Sequence, residues 1–310
     1  MILPPGLLPE GLRDRLPGEA SAQARTVRAL LDSIEARGFA RVSPPLVEYE
    51  ENLGARLKSS RTDMARFVDP SSQRTLAIRP DITPQIARIA STQLANAPRP
   101  LRLAYAGPVF KLGGTQLNPQ RETLQVGAEL IGSDSVDAAC EIVGLAVEAL
   151  KAAGVTDLTV DLTMPDLVST LAGKIRTPDD IAKLDALLDM KDAGGLASAG
   201  FTDWLPLIAA TGRVEPALDA LRTFDHAGLI TSRIDGIEAI AKSLSGVRVT
   251  LDPTERHGFE YQSWFGFSLF VAGGTGAIGR GGSYAIEHPD GRSELATGFS
   301  VYPDSFVKDV

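Results

Sequence analysis

The sequence predicts an α+β fold in which an antiparallel sheet, flanked by helices, is interrupted by a helical insertion. Three observations lead there. Strand-like runs follow one another closely through short loops, as in antiparallel sheets, and do not alternate with helices as in a parallel one. Two long stretches, 19–37 and 134–151, carry apolar residues at helical spacing and stand apart from those runs. Between 165 and 246 the character changes to short helical patterns broken by Gly194-Gly195, Pro206 and Gly212, with no convincing strand.

A proline-rich arm with Pro4, Pro5 and Pro9 leads into the first helix, where Ala24, Val27, Leu30, Leu31 and Ile34 form one stripe and Gly38 supplies the stop. The following FARVSPPLVEYEENL reads as extended. Its Pro44-Pro45 pair belongs at a sheet edge or a chain crossing, since proline donates no ladder bond, and such an edge suits a second subunit. RFVDPSSQRTLAIR predicts a hairpin turning at Asp69-Pro70-Ser71-Ser72. After Pro80 the spacing of Ile82, Ile86, Ile89 and Ala90 predicts a helix. LRLAYAGPVFK and TLQVGAELIG are two strands separated by a loop over 112–120, Asp134 opens the second long helix, and 155–163 is a further strand. Beyond the insertion, strand signals return in VRVTLD, YQSWFGFSLFVAG, SYAIE and ATGFSVY. Residues 1–164 and 247–310 are therefore expected to form one domain around the insertion at 165–246.

Composition narrows the function. The chain has 310 residues, 44% of them hydrophobic, and 31 Lys+Arg against 39 Asp+Glu give a net charge of −8, which opposes a surface built to neutralise nucleic-acid phosphates. Cys140 has no partner for an internal disulfide, and His226, His257 and His288 are too scattered for a metal site. No long apolar run or hydrophobic leader core occurs, so a cytoplasmic protein without membrane contact is expected. GTGAIG after an apolar strand mimics a dinucleotide fingerprint but lacks the helix and the acidic strand that the fingerprint needs. Arg280-Gly281-Gly282 read as prolonging a loop, and a hairpin with close backbone approach explains the glycines; no cofactor is expected.

Two clusters and a pair of aromatic segments remain. Over 121–130, Leu124, Val126, Ala128 and Leu130 alternate with Thr123, Gln125, Gly127 and Glu129, so one face packs and the other is polar. Gln125 and Glu129 then share a side about 13 Å apart, either bracketing a small ligand or lining an exposed sheet face. In Arg79-Pro80-Asp81-Ile82-Thr83, the acid and the hydroxyl at a helix start read first as caps and only second as a binding pair. His257 and Tyr261 lie on a strand entry and Tyr284 follows the glycine cluster, places that serve a core as well as a site.

In combination and order these segments resemble the catalytic domain of the histidyl-tRNA synthetases, of class II, over nearly the entire chain. RGFARVSPPL is similar to the first class II motif, whose interface proline falls on Pro45. LAIRPDITPQIAR resembles the segment that holds the substrate α-amino group, on Asp81 and Thr83. YAGPVFK with QRETLQVGAELIG resembles the second motif and brings Gln125 and Glu129 into the site. ERHGFEYQ and GRGGSYA resemble the histidine-specific segments, on His257, Tyr261 and Tyr284. The resemblance implies ammonium binding at Asp81, Thr83 and Glu129 and an imidazole near Tyr261 and Tyr284, with Gln125 and His257 beside them.

The ATP-gripping residues depart from that pattern. Phe110-Lys111-Leu112-Gly113 replaces an arginine and an acid, Tyr302-Pro303-Asp304-Ser305 lacks the arginine that ends the third motif, and His257 stands for an arginine, with Arg256 one position off. Each lost donor removes about 3 kcal/mol of transition-state stabilisation, so adenylation is predicted to be absent while the amino-acid pocket survives. Lys111 and Arg121 remain as candidate anion contacts, and no anticodon-binding domain is recognised. This combination resembles the regulatory subunits of ATP phosphoribosyltransferase, a family of non-catalytic synthetase paralogues in histidine biosynthesis. That implies a short-form catalytic subunit as partner, free L-histidine as feedback effector, a homodimer and a hetero-octamer. The competing expectation is a free-standing histidine-activating enzyme.

Overall fold

The computed structural model of the chain describes residues 6–54, 64–114, 119–173, 177–256 and 262–307. Helix α1 (Pro17–Ala36) begins on a proline, whose fixed φ suits the first turn, and buries Leu30, Leu31 and Ile34. Gly38, at φ +84°, turns the chain into β1 (Ala40–Arg41). β2 (Val47–Tyr49) and α2 (Glu50–Gly54) follow. β3 (Arg66–Val68) and β4 (Thr75–Ile78) form the expected hairpin, where the Asp69 carboxylate accepts the Ser71 and Ser72 amides, and β2 joins them in a small sheet of order β2-β4-β3.

Next come α3 (Thr83–Ser91), β5 (Leu101–Phe110), β6 (Glu122–Ile131), α4 (Val136–Ala152) and β7 (Leu158–Thr163). Ser135 caps α4, accepting the Ala138 amide at 3.2 Å, so the helix opens one residue later than Asp134. The chain then runs through α5 (Leu167–Ala172), α6 (Pro178–Asp189), α7 (Ala193–Ser198), α8 (Leu205–Ala209), β8 (Gly212–Arg213), α9 (Val214–Phe224) and α10 (Thr231–Ser243). This stretch is mainly helical, but β8 pairs with β9 (Arg248–Leu251) and extends the main sheet, against the expectation of no strand. Two residues leave no alternating pattern to read. β10 (Gln262–Val271), β11 (Gly279–Glu287) and β12 (Ser293–Val301) complete the chain.

The main sheet has the order β1-β5-β6-β12-β11-β10-β7-β9-β8. From β5 to β7 every neighbouring pair is antiparallel, and parallel pairing occurs where β1 meets β5 and β7 meets β9. One face is covered by α1 and α4, whose Leu30, Ile34, Ile142 and Leu150 pack with Val126, Ala128, Leu130 and Phe299 and continue into Leu184, Leu196 and Leu221 of the helical stretch. Each such side chain contributes about 1.5–3 kcal/mol by leaving water. The opposite face carries a smaller cluster in which Ile86 and Ala90 of α3, with Ile82 just before it, pack with Leu103, Tyr105, Tyr284 and Ile286.

Arg79 fixes the entry to that second face. The residue is 3% exposed, and its guanidinium donates to the carbonyls of Pro44 and Pro108, each at 2.9 Å, and to Gln85 Oε1 at 3.2 Å. The Pro44-Pro45 crossing is thereby tied to β5 two residues before Asp81, and burial lowers the arginine's pKa.

Candidate functional site

Strand register builds the site. Directly paired residues share a face, so Gly127, Ser300, Arg280, Ser268, Asp161 and Thr250 lie in one row across six strands. A parallel row two residues along holds Glu129, Gly298, Gly282, Gly266 and Thr163. Three adjacent strands, β12, β11 and β10, thus present glycine side by side. A methyl group on Gly298 would overlap the Glu129 carboxyl, and methyl groups on Gly282 and Gly266 would overlap the Gln262 amide. The two polar side chains therefore lie across bare backbone.

This explains an expectation that the structure overturns. Gly279 to Gly282 belong to β11 and not to a loop. On the other face a methyl on Gly281 would run into the Phe267 ring and the Gly298 carbonyl, so the strand exists only because these positions carry no side chain.

Glu129 is 1% exposed and accepts hydrogen bonds from the hydroxyls of Tyr284 (2.8 Å), Tyr105 (3.0 Å) and Thr83 (3.1 Å). Burial pushes its pKa up to about 8 against the pull of those three hydroxyls, and the charge of Asp81 adds to the rise. At neutral pH the protonated form of this carboxyl is therefore far better populated than that of an ordinary glutamate. Burial likewise pushes the Tyr105 phenol well up.

Gln125, fully buried, uses each end of its amide: Nε2 donates to Asp81 Oδ1 (2.6 Å) and Ser300 Oγ (2.7 Å), and Oε1 accepts the Ile82 amide (2.9 Å). Ser300 in turn meets the Tyr105 hydroxyl at 2.9 Å. Asp81 serves both readings, because it accepts the Thr83 amide at 3.1 Å in the first turn of α3 and also faces the site. The Thr83 hydroxyl turns to Glu129 and caps nothing.

The polar side of β6 is thus neither an exposed face nor an open bracket. Tyr105 and Ser300 fill the interval between Gln125 and Glu129 and join them into one network. The free space left among Thr83, Glu129, Gln262, Arg280, Gly282 and Tyr284 is ≈ 10 Å³, about one water molecule.

The structure brings Asp81, Thr83, Gln125, Glu129 and Tyr284 together; His257 and Tyr261 lie outside the described residues. Lys111 and Arg121 lie elsewhere, Arg121 about 26 Å from Glu129 along β6 at the strand rise. Arg121 donates to the carbonyls of Lys111 (3.3 Å) and Glu10 (3.4 Å) and stacks over Phe110 at 4.9 Å. Asp304, where the synthetase pattern ends in arginine, accepts from Arg15 (3.0 Å), Gln23 and the Leu124 amide (2.7 Å). Tyr105, Ser300, Gln262 and Arg280 were not legible as site residues, because alternation tells which face a residue takes but not what it meets across six strands. No cluster of metal-ligating side chains occurs among the described residues.

Comparison with known proteins places this arrangement. The histidyl-tRNA synthetase family model matches residues 11–306. The ATP phosphoribosyltransferase regulatory subunit of Rhodospirillum rubrum is 41% identical over 312 residues, covering 97% of this chain and 80% of that protein. Its counterpart in Gluconobacter oxydans is 35% identical, with 97% and 80% covered. Among solved structures, an ATP phosphoribosyltransferase regulatory subunit/histidyl-tRNA synthetase from Bacillus halodurans C has a TM-score of 0.87 at 24% identity, covering 99% of this chain and 84% of that one. A chain of the ATP phosphoribosyl transferase (HisG:HisZ) complex from Thermotoga maritima has a TM-score of 0.68 at 16% identity, covering 91% and 97%.

The sheet, its helical cover and the glycine-floored polar face define a protein of the histidyl-tRNA synthetase-like, class II type. Within that type, the chain belongs to the family of ATP phosphoribosyltransferase regulatory subunits.

Proposed function

We propose that this chain is the non-catalytic regulatory subunit of a short-form ATP phosphoribosyltransferase, acts in the first step of histidine biosynthesis, and reports free L-histidine to that enzyme. One observation carries the reading. The residues fit to hold a small amino acid converge in a buried network, while Asp304, which stands where the synthetase pattern has an arginine, is taken up by Arg15, Gln23 and the Leu124 amide, and Arg121 faces main-chain carbonyls.

On this reading the effector's ammonium enters at Asp81, Thr83 and Glu129, its imidazole lies by Tyr284 and Tyr261, and Gln125 and His257 line the remainder. The ammonium's charge favours the ionised form of Glu129, so binding at neutral pH releases a proton from that carboxyl. Regulation then requires that histidine bind the inhibited assembly more tightly than the active one, a coupling typically of about 1–3 kcal/mol. A homodimer through the Pro45 region, a hetero-octamer with the catalytic subunit and a cytoplasmic site of action complete the proposal, with 165–246 as an insertion in the synthetase-like domain.

Mixing the purified chain with a short-form transferase tests it. Transferase activity is expected to rise on mixing and to fall again with histidine; absence of stimulation overturns the regulatory role. Pyrophosphate exchange with histidine and ATP is expected to be absent, and robust exchange would instead establish a histidine-activating enzyme.

A further inference from the structure

Resting on the histidine reading above, we propose that Arg280 is the carboxylate anchor of the effector site and makes it selective for a free α-amino acid over the corresponding amine. A free amino acid presents an ammonium and a carboxylate on one carbon, and the two groups that grip them, each through a charge-assisted bond of about 2.8 Å, stand about 8 Å apart. Asp81 supplies the acidic grip. The counterpart must be a cation on the same face of the sheet, a short distance away.

Arg280 is a cation on that face, on the strand beside Ser300. It pairs directly with Ser300 on the neighbouring strand. The Ser300 hydroxyl accepts from the same Gln125 amide nitrogen that donates to Asp81, so one amide and one serine lie between the two charged residues. Arg280 lines the cleft with Thr83, Glu129, Gln262 and Tyr284 and is the cation among the described residues that line it. The half-buried Tyr302 phenol feels both charges: desolvation raises its pKa, Asp81 adds to the rise and Arg280 opposes it.

The surroundings make such a cation necessary. Asp161 and Asp252 share that face with Asp81 and Glu129; Asp161 holds the Thr250 hydroxyl and Asp252 is bound by Lys191 at 2.7 Å. A ligand carboxylate approaching this acidic surface is repelled unless a guanidinium meets it, and a planar fork suits a carboxylate better than a point charge does. Position 257, where the synthetase resemblance calls for an arginine, carries histidine, and on this proposal β11 supplies the positive group instead.

Calorimetry on the full chain with L-histidine and with histamine, which keeps the ammonium and imidazole but lacks the carboxylate, tests the assignment. Wild type is expected to bind histidine about 100-fold more tightly than histamine, the scale of a lost partner in a desolvated charge pair. Arg280→Gln should weaken histidine by about that factor, shift histamine by less than about 3-fold on the same scale, and so erase the preference; Arg280→Lys should restore part of it. Equal weakening of both ligands, or no weakening of histidine in a variant whose thermal unfolding matches wild type, overturns the anchor role. Failure of wild type to bind either ligand overturns the histidine reading itself, which the ratio in the variant does not measure.

Discussion

Around Glu129, strand β6 meets Tyr105, Tyr284 and Thr83 through hydroxyls that converge on one buried carboxyl, and Gln125 holds Asp81 in place beside them. Around Arg121, at the other end of the same strand, the guanidinium faces main-chain carbonyls and a ring, and Asp304 ties Arg15 and Gln23 against Leu124. The first arrangement aims polar groups at a common point, as recognition of a small polar molecule requires. The second directs its charged groups into the chain's own packing. An amino-acid-activating enzyme needs both ends of the strand for chemistry, whereas a sensor needs one.

Substitutions at the two ends should separate most widely at the acids. Asp81→Ala is expected to weaken histidine binding by about 2–5 kcal/mol and to abolish feedback inhibition of the assembled enzyme, whereas Asp304→Ala leaves affinity nearly unchanged. Calorimetry on both variants checks this, and equal losses would erase the functional difference between the ends.

The second contrast is in pH. Glu129 has its folded pKa raised above the unfolded value of 4.5, so the folded chain binds the extra proton between 4.5 and about 8. Its contribution to stability is present at low pH and is lost as pH rises through that window. Melting temperatures of wild type should decline across it from this group, and Glu129→Gln should flatten the decline by an amount on the order of a few kcal/mol. A Glu129→Gln profile parallel to that of wild type would show that the carboxyl is ionised throughout.

Backbone crowding offers a smaller effect. Gly298→Ala places a methyl group on the Glu129 carboxyl and is expected to cost about 1–3 kcal/mol, read as a fall in Tm. Gly113→Ala, near Lys111, meets nothing within 4 Å and should stay within about 0.5 kcal/mol of wild type. Among the substitutions expected to destabilise, the smallest change is Asp304→Asn, which keeps a shape able to accept from Leu124 but gives up the charge facing Arg15. A loss of about 1 kcal/mol, with faster proteolysis of the N-terminal arm, would confirm its structural use.

How far the sequence carries depends on whether the determinant is local. Helix α1, the hairpin at Asp69 and the pairing of apolar and polar sides on β6 follow from spacing and turn chemistry, and all are present. The glycines of β11 mislead, because a residue without a side chain carries no alternation, and its fitness for a strand lies in what Phe267 and the Gly298 carbonyl do on the next strands. Gln125 and Glu129 were legible as candidates from one strand. Their closure by Tyr105 and Ser300 depends on the register of β5 and β12, and the protonation of Glu129 depends on how much of the molecule covers it.

The floor formed by Gly298, Gly282 and Gly266 gives mutation a direction. Any replacement at these three places adds atoms, since glycine has none to lose, and each addition collides with Glu129 or Gln262. Drift along this wall therefore shrinks the room for a guest and never enlarges it. A descendant able to admit a bulkier molecule would have to change the side chains that lie over the floor, Glu129 or Gln262, while the floor stayed as it is.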